Sequence, residues 1–315
     1  MVIFVLLIVV VALFLAHQAA KGQVAKLRQN PDPFPLAQLD EPMPGESAMV
    51  ERADGTLIHT RSVGDGSAGT VILSHGYGYE MQEWNVIAGM LLDLDYRLIA
   101  LDLRGHGKST IGRDGMTSKA MAADYKAVIE HYDVKDAILV GHSTGVFLTT
   151  VFMLDYPDVV AKHLKAAVLM AGLCGNALEG SPQNRVQIPL IKYGIIESVA
   201  RSNVYGWLFG ASLCGEKPSP AIIQAFLKTF LKQPHKKLFG ILNALAVENH
   251  YPRLHEIKIP CVIICGEADK TTPRWHSETM GRNIPDARNV WVPHQGHLLN
   301  WEAPDVLVEA VQSLS

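Results

Sequence analysis

The segment Gly141-His142-Ser143-Thr144-Gly145 places a serine between two glycines, where the apolar run Ala137–Val140 gives way to the helical pattern Thr144–Leu154. A tight strand-to-helix turn at such a point lifts a serine hydroxyl above a sheet, and the flanking glycines admit neighbouring backbone without side-chain clash. The new helix also aims the positive end of its dipole at the site. A serine hydroxyl alone is a weak nucleophile, so it needs a base and an acid that orients the base. The order expected along the chain is Ser, then Asp or Glu, then His. Asp269, in Gly266-Glu267-Ala268-Asp269 after the apolar run Cys261–Cys265, is the expected acid, with Glu267 as its rival. His297, in Gln295-Gly296-His297 after the run Asn289–Val292, is the expected base; His294 is its rival, and the turn available at Gly296 favours His297. Acyl transfer further needs N–H donors for the charge that develops on the carbonyl oxygen. The backbone N–H groups of Thr144 and Tyr77 are the candidates, the second lying in His75-Gly76-Tyr77-Gly78 after the run Thr70–Ser74. This chemistry calls for no cofactor and no metal.

These residues need a scaffold, and the hydrophobic pattern describes one. Two short strand-like runs, Met49–Arg52 and Leu57–Val63, flank Asp54-Gly55, a hairpin signal. Apolar strands at Thr70–Ser74, Arg97–Leu101, Ala137–Val140 and Ala166–Met170 then alternate with helical patterns at Glu80–Leu92, Ser118–Tyr132 and Thr144–Leu154. Continuous apolar strands separated by amphipathic helices imply a parallel sheet covered on both faces. The alternation stops near Gly172, gives way to helical patterns such as Ile222–Leu231 and Leu238–Val247, and resumes at Cys261. A helical insertion at about 172–257, placed after a strand, would roof the strand carboxyl ends, where ligands bind in such sheets. Between residues 172 and 258 there are ten Lys and Arg against five Asp and Glu, whereas the rest of the chain has 18 against 26. That local excess fits a solvated helical face or a cap turned towards anionic lipid or an anionic substrate.

Composition excludes several classes. The chain has 315 residues, of which 48% are hydrophobic and 19% charged, and a formal net charge of −3. There is no basic excess to bind nucleic acid and no acidic tail. Cys261 and Cys265 stand about 13 Å apart along one strand, too far for a disulfide. Nothing requires Cys174 and Cys214 to pair, so four reduced thiols are expected. Gly64, Gly66 and Gly69 spell a dinucleotide-type spacing but lead into a strand rather than a helix. Gly107-Lys108-Ser109 lacks the leading glycine of a phosphate loop, and His294 with His297 lacks a third metal ligand. Tyr205, Trp207 and Phe209 in the insertion fit core packing better than a substrate box.

Taken together, SHGYG (74–78), DLRGHGKS (102–109), GHSTG (141–145), GEADKTTP (266–273) and QGHLLNWEAPD (295–305) resemble the α/β-hydrolase family, in its capped single-domain form, over about residues 70–315. The resemblance implies an eight-stranded, mostly parallel sheet whose second strand is antiparallel, with helices on both faces. It implies a Ser143, Asp269 and His297 triad. Asp102, Arg104 and Gly105 become a structural turn, and His75, His106 and His142 scaffold histidines. Many members carry a second glycine after the elbow, where this chain has Val146.

The amino terminus adds a separate expectation. Val2–Ala16 is an unbroken apolar run, extended by Ala19 and Ala20. As a helix, residues 1–20 reach about 30 Å, enough to cross a bilayer. No Lys or Arg precedes the run and Gln18 stands where a signal-peptide site needs a small residue, which favours a single-pass anchor over a cleaved signal or a core helix. Lys21, Lys26 and Arg28 follow it, placing the catalytic domain on the cytoplasmic side. Pro31, Pro33, Pro35, Pro42 and Pro44 mark residues 21–47 as a stiff extended tether, with the globular domain at 48–315. The expectation is therefore a membrane-anchored serine hydrolase of carboxylic esters, acting on small-molecule, apolar or lipid-like substrates and not on nucleic acid. Alternatives on the same triad are a C–C bond hydrolase or a cofactor-free perhydrolase. A non-catalytic scaffold on the same fold is a further reading.

Overall fold

A computed structural model describes residues 2–315, with side chains from Ile8 onward. Met1 and the side chains of residues 2–7, part of the expected anchor, lie outside the described residues.

The strands are β1 (Glu46–Glu51), β2 (Leu57–Val63), β3 (Gly69–Ser74), β4 (Tyr96–Leu101), β5 (Ala137–His142), β6 (Leu164–Met170), β7 (Cys261–Gly266) and β8 (Ala287–Val292). They form one sheet in the order β1-β2-β4-β3-β5-β6-β7-β8. β2 runs antiparallel to β1 and β4, and β3 to β8 are parallel, as the resemblance implied. Alternation of side chains along each strand divides the interior in two. Ile72, Ile99, Leu139, Leu169 and Ile263 enter one core, and their neighbours Val71, Leu98, Val140, Val168 and Ile264 the other.

Helices α1 (Val2–Leu27) and α2 (Leu36–Leu39) precede the sheet. α3 (Asn85–Leu92), α4 (Ser118–His131), α5 (Thr144–Asp155) and α6 (Pro157–His163) lie within its first half. The insertion consists of α7 (Pro182–Lys192), α8 (Ile196–Arg201), α9 (Tyr205–Ala211), α10 (Pro220–Phe230) and α11 (His235–Val247). α12 (Trp275–Asn283), α13 (Leu299–Glu302) and α14 (Pro304–Gln312) complete the chain. The helix expected over Glu80–Leu92 is broken: Met81–Trp84 is a 3-10 turn before α3. The Met81 N–H donates to the Asp102 carboxylate at 2.8 Å, and Glu83 turns into the interior, so local side-chain demands override a continuous helix.

From β3 the chain steps to one side, to β4, and then returns to the other side, to β5. The crevice above β3 and β5 is therefore the topological switch point, where open α/β sheets bind ligands. The registers Ser74↔Gly141 and His142↔Met170 bring the ends of β3, β5 and β6 level. The loop carrying Tyr77 and the turn carrying Ser143 thus leave the sheet side by side.

The amino-terminal region departs from the expected tether. α1 continues to Leu27, beyond the apolar run, and Ile8–Leu27 is long and apolar enough to cross a membrane by length and composition. Residues after it are packed on the domain rather than extended. Leu39 and Met43 are buried, and Asn85 Nδ2 donates to the carbonyls of Gln38 and Glu41. The Asp32 carboxylate accepts from Ser219 Oγ at 2.5 Å and from the Ala221 N–H at 2.8 Å, sealing the start of α10. Prolines suit such a turn-rich strap as well as a free linker, and the acceptors lie far along the sequence. Losing a cap of this kind costs about 1 kcal/mol, so Asp32→Ala should lower the denaturant midpoint accordingly. A free tether would leave the midpoint unchanged.

Candidate active site

The site is built from one strained residue. Ser143 sits at φ 54° and ψ −115°, between β5 and α5, a backbone region that L side chains rarely adopt. Its N–H is tied to the Met170 carbonyl at 3.1 Å. A Cβ on Gly141 would stand 2.8 Å from the Gly145 carbonyl, and one on Gly145 would collide with the Ser74 carbonyl, so both glycines are sterically required. Val146, in place of a second glycine, is accommodated by Gly172: a Cβ there would overlap the Val146 side chain. The small residue that one spacing lacks is supplied by the chain opposite.

The structure brings the three sequence-predicted residues together. Ser143 Oγ donates to His297 Nε2 at 2.9 Å, and His297 Nδ1 donates to Asp269 Oδ2 at 2.8 Å. Asp269 follows β7 and is held by the Thr271 and Thr272 N–H groups at 2.7 and 2.9 Å and by Thr272 Oγ1 at 2.6 Å. Burial pushes the Asp269 carboxyl up, but the charge and hydrogen bond of His297, with the Thr272 donors, outweigh it and hold the carboxyl below its ordinary range. The rivals lie elsewhere: Glu267 is exposed and pairs with Arg274, and His294 is exposed beside Glu216. Tyr77 and Thr144 both border the cavity above Ser143, and a Cβ on Gly76 would stand 3.1 Å from Ser143 Cβ, so the Tyr77 loop runs directly against the serine.

That cavity has a volume of about 90 Å³. Its walls away from the triad are mostly apolar: Ile188 and Ile191 of α7, Phe226 and Phe230 of α10, and Leu242 and Leu245 of α11. The insertion therefore roofs the site. Of its three aromatics, Phe209 lines the cavity, Trp207 stacks under the Arg28 guanidinium and Tyr205 is exposed against His17.

Residues 71–310 match the Alpha/beta hydrolase family. The chain belongs to that family. It is 29% identical over 236 residues to a bifunctional esterase/perhydrolase of Acinetobacter calcoaceticus, covering 71% of this chain and 83% of that protein. It is 28% identical over 260 residues to a 2-hydroxy-6-oxononadienedioate/2-hydroxy-6-oxononatrienedioate hydrolase of Comamonas testosteroni, covering 79% of this chain and 87% of that protein. In fold it is similar to the crystal structure of a bromoperoxidase from Bacillus anthracis, with a TM-score of 0.75 and 20% identity, over 85% of this chain and 99% of that one.

Within this α/β-hydrolase, Asp102 and Arg104 hold the turn after β4. Asp102 accepts from His59 Nδ1 at 2.7 Å, and the buried Arg104 makes a bidentate pair with Asp124 at 2.8 and 2.9 Å. Burial and the neighbouring His75 lower His106 to about 3, so it stays neutral. All four cysteines are free and buried.

Two acidic residues escaped the sequence reading. Glu83 lies against His142, whose Nδ1 donates to its carboxylate at 3.1 Å, while His142 Nε2 donates to the His297 carbonyl at 2.9 Å. Both ring nitrogens face acceptors, so His142 is a buried imidazolium. Burial alone would lower it, but Glu83 and that carbonyl raise it. Glu83 also accepts the Gly76 N–H at 3.3 Å, joining the Tyr77 loop to the His297 loop through one ion pair. Glu302 accepts the N–H groups of Gly215 at 2.5 Å and Gly296 at 3.0 Å, clamping the insertion to the same loop. Burial pushes its carboxyl up to about 7 against those two donors. No local pattern marks either residue, although Glu302 lies within QGHLLNWEAPD.

Removing one partner of a buried pair strands the other charge, at a cost of about 3–5 kcal/mol. Glu83→Gln should therefore lower the unfolding free energy by that amount. His142 and Glu302 are both raised, so both bind protons more tightly folded than unfolded. Their contributions are complete below the ordinary values and fade as pH rises through the folded ones. The melting temperature should accordingly fall between pH 4.5 and about 7 on account of Glu302. Glu302→Gln should flatten that fall in a calorimetric pH series.

Proposed function

We propose that this hydrolase cleaves carboxylic esters of apolar acyl groups through an acyl-enzyme on Ser143, and that α1 anchors it in a membrane. The observation that carries the reading is the unbroken hydrogen-bonded chain Asp269–His297–Ser143 at the floor of an apolar, roofed cavity.

Ser143 Oγ attacks the ester carbonyl carbon while His297 Nε2 takes its proton. The carbonyl oxygen becomes an oxyanion, bound by the Tyr77 and Thr144 N–H groups, whose charge stabilisation is often the largest catalytic term. Asp269 holds the Nδ1–H tautomer and stabilises the imidazolium. Collapse expels the alkoxide, which takes the proton from His297 and leaves as the alcohol. Water then gives His297 a proton as its oxygen attacks the acyl carbon, and collapse of the second intermediate returns the proton to Ser143 Oγ and frees the acid. The apolar roof favours an acyl chain over a charged substrate, because burying an unpaired charge there is costly. Support for the anchor is the length and composition of Ile8–Leu27 and the exposure of Ile8–Leu15.

A second reading keeps the acyl-enzyme and exchanges water for hydrogen peroxide, giving a peracid. It is favoured by the similarity to an esterase/perhydrolase.

A fluorophosphonate probe should label the wild type and not Ser143→Ala. Turnover of p-nitrophenyl esters should rise from short to medium chains and fall at least 10³-fold, to order of magnitude, in Ser143→Ala. Asp269→Asn should cost about 10⁴-fold in kcat with KM little changed. Absence of labelling on folded wild type would sink the catalytic reading.

A further inference from the structure

The outer face of the roof is as unusual as its inner face. Outside α1, the exposed large apolar side chains among the described residues are Met49 and Leu57 on the first hairpin, and six in the insertion. Those six are Leu178, Val186, Tyr193, Ile195, Tyr205 and Val247, with Tyr193 71% and Val247 69% exposed. Val186 of α7 and Tyr193, which caps that helix, lie seven residues apart along one stripe, while Ile188 and Ile191 of the helix line the cavity. On α11, Leu242 and Leu245 line it and Val247 is exposed. A single layer of helix thus separates the cavity from an apolar exterior.

The same helices carry exposed cations. Arg185, Lys192, Arg201, Lys236 and Lys237 are exposed on α7, α8 and α11. Among the described residues, none of the five lies within 4.0 Å of a carboxylate oxygen, whereas Lys228 of α10 and Lys232 just after it are paired with Asp40 and Glu80. Apolar side chains interspersed with unpaired cations match an anionic bilayer surface.

The placement of α1 points to the same side. It packs on α9, with Val24 buried, His17 Nδ1 3.2 Å from the Tyr205 hydroxyl, and the Arg28 guanidinium 4.6 Å from the centre of the Trp207 ring. Ile8–Leu15 project free of the domain. A bilayer that receives α1 therefore meets the protein at the edge of the roof. Tyr205 then stands at the interface, where aromatic side chains collect.

We infer that the roof formed by α7, α8, α9 and the end of α11 rests on an anionic lipid bilayer, so that substrate enters the cavity from lipid rather than from water. The orientation rests on the anchor reading of α1. The roof's own apolar and basic surface is independent of it.

The test uses the full chain reconstituted in vesicles of phosphatidylcholine, alone or mixed with phosphatidylglycerol, containing spin-labelled lipid as quencher. Because the native cysteines are buried, a thiol-reactive fluorophore reports one introduced site in each of Phe14→Cys (α1), Tyr193→Cys and Val247→Cys (roof) and Lys135→Cys. The last lies in the loop before β5, at the opposite end of the sheet. Fluorophosphonate labelling of Ser143 verifies that each variant is folded. The expected result is quenching at 14, 193 and 247 but not at 135, with the roof signals stronger on the anionic vesicles. Lys192→Glu with Lys237→Glu should then reduce quenching at 193 by several fold. Quenching at 14 alone would overturn the proposal and leave the anchor standing. Quenching at 193 and 247 but not at 14 would uphold the roof contact and overturn the anchor. No quenching at 14, 193 or 247 would overturn both.

Discussion

A serine held at φ 54° exists only because its surroundings leave it no alternative. Such a conformation costs on the order of 1–3 kcal/mol and persists where the structure around it over-determines the backbone. Here β5 is hydrogen-bonded on both edges, α5 is buried along almost its whole length, and Gly141 and Gly145 let neighbouring backbone close around the turn. Relaxing Ser143 would break this packing. The strain aims Oγ away from the sheet, at the point where His297 and the Tyr77 loop can reach it.

The remaining parts of the site are loops, and charge holds them in register. The Glu83–His142 pair fastens the Tyr77 loop to the His297 carbonyl from beneath. Glu302 fastens the His297 loop to the insertion from the side, and the His297 N–H donates to the Leu213 carbonyl at 2.7 Å. The roof is thus hydrogen-bonded to the very loop that supplies the base. Access to the cavity and alignment of His297 are mechanically connected.

The amino-terminal strap extends that connection. Asp32 caps α10, Asp40 pairs with Lys228, and Arg28 lies over Trp207. Three parts of the strap therefore touch the insertion, and Gln38, Leu39 and Glu41 touch the core domain through Gln82 and Asn85. A segment that composition describes as a spacer is in fact a brace between α1, the roof and the sheet.

Sequence alone determined what is local. The elbow motif, the order Ser-Asp-His, the strand-helix alternation and the position of the insertion all depend on residues close together in the chain, where turn sterics and hydrophobic periodicity act. It favoured Asp269 over Glu267 and, through the turn at Gly296, His297 over His294, while the structure shows where the rivals go, Glu267 to Arg274 and His294 to Glu216. Tertiary structure alone decided the rest. Glu83 meets His142 across 59 residues, Glu302 meets Gly215 across 87, and Asp32 meets Ser219 across 187. For Glu83 and Glu302 the partner is chosen by strand order and burial, which place donors in a low-dielectric interior and make an unpaired charge too costly to keep, whereas the exposed Asp32 meets α10 because the strap is packed there. No periodicity records that choice, so these residues read as ordinary surface acids until the fold brings their partners to them.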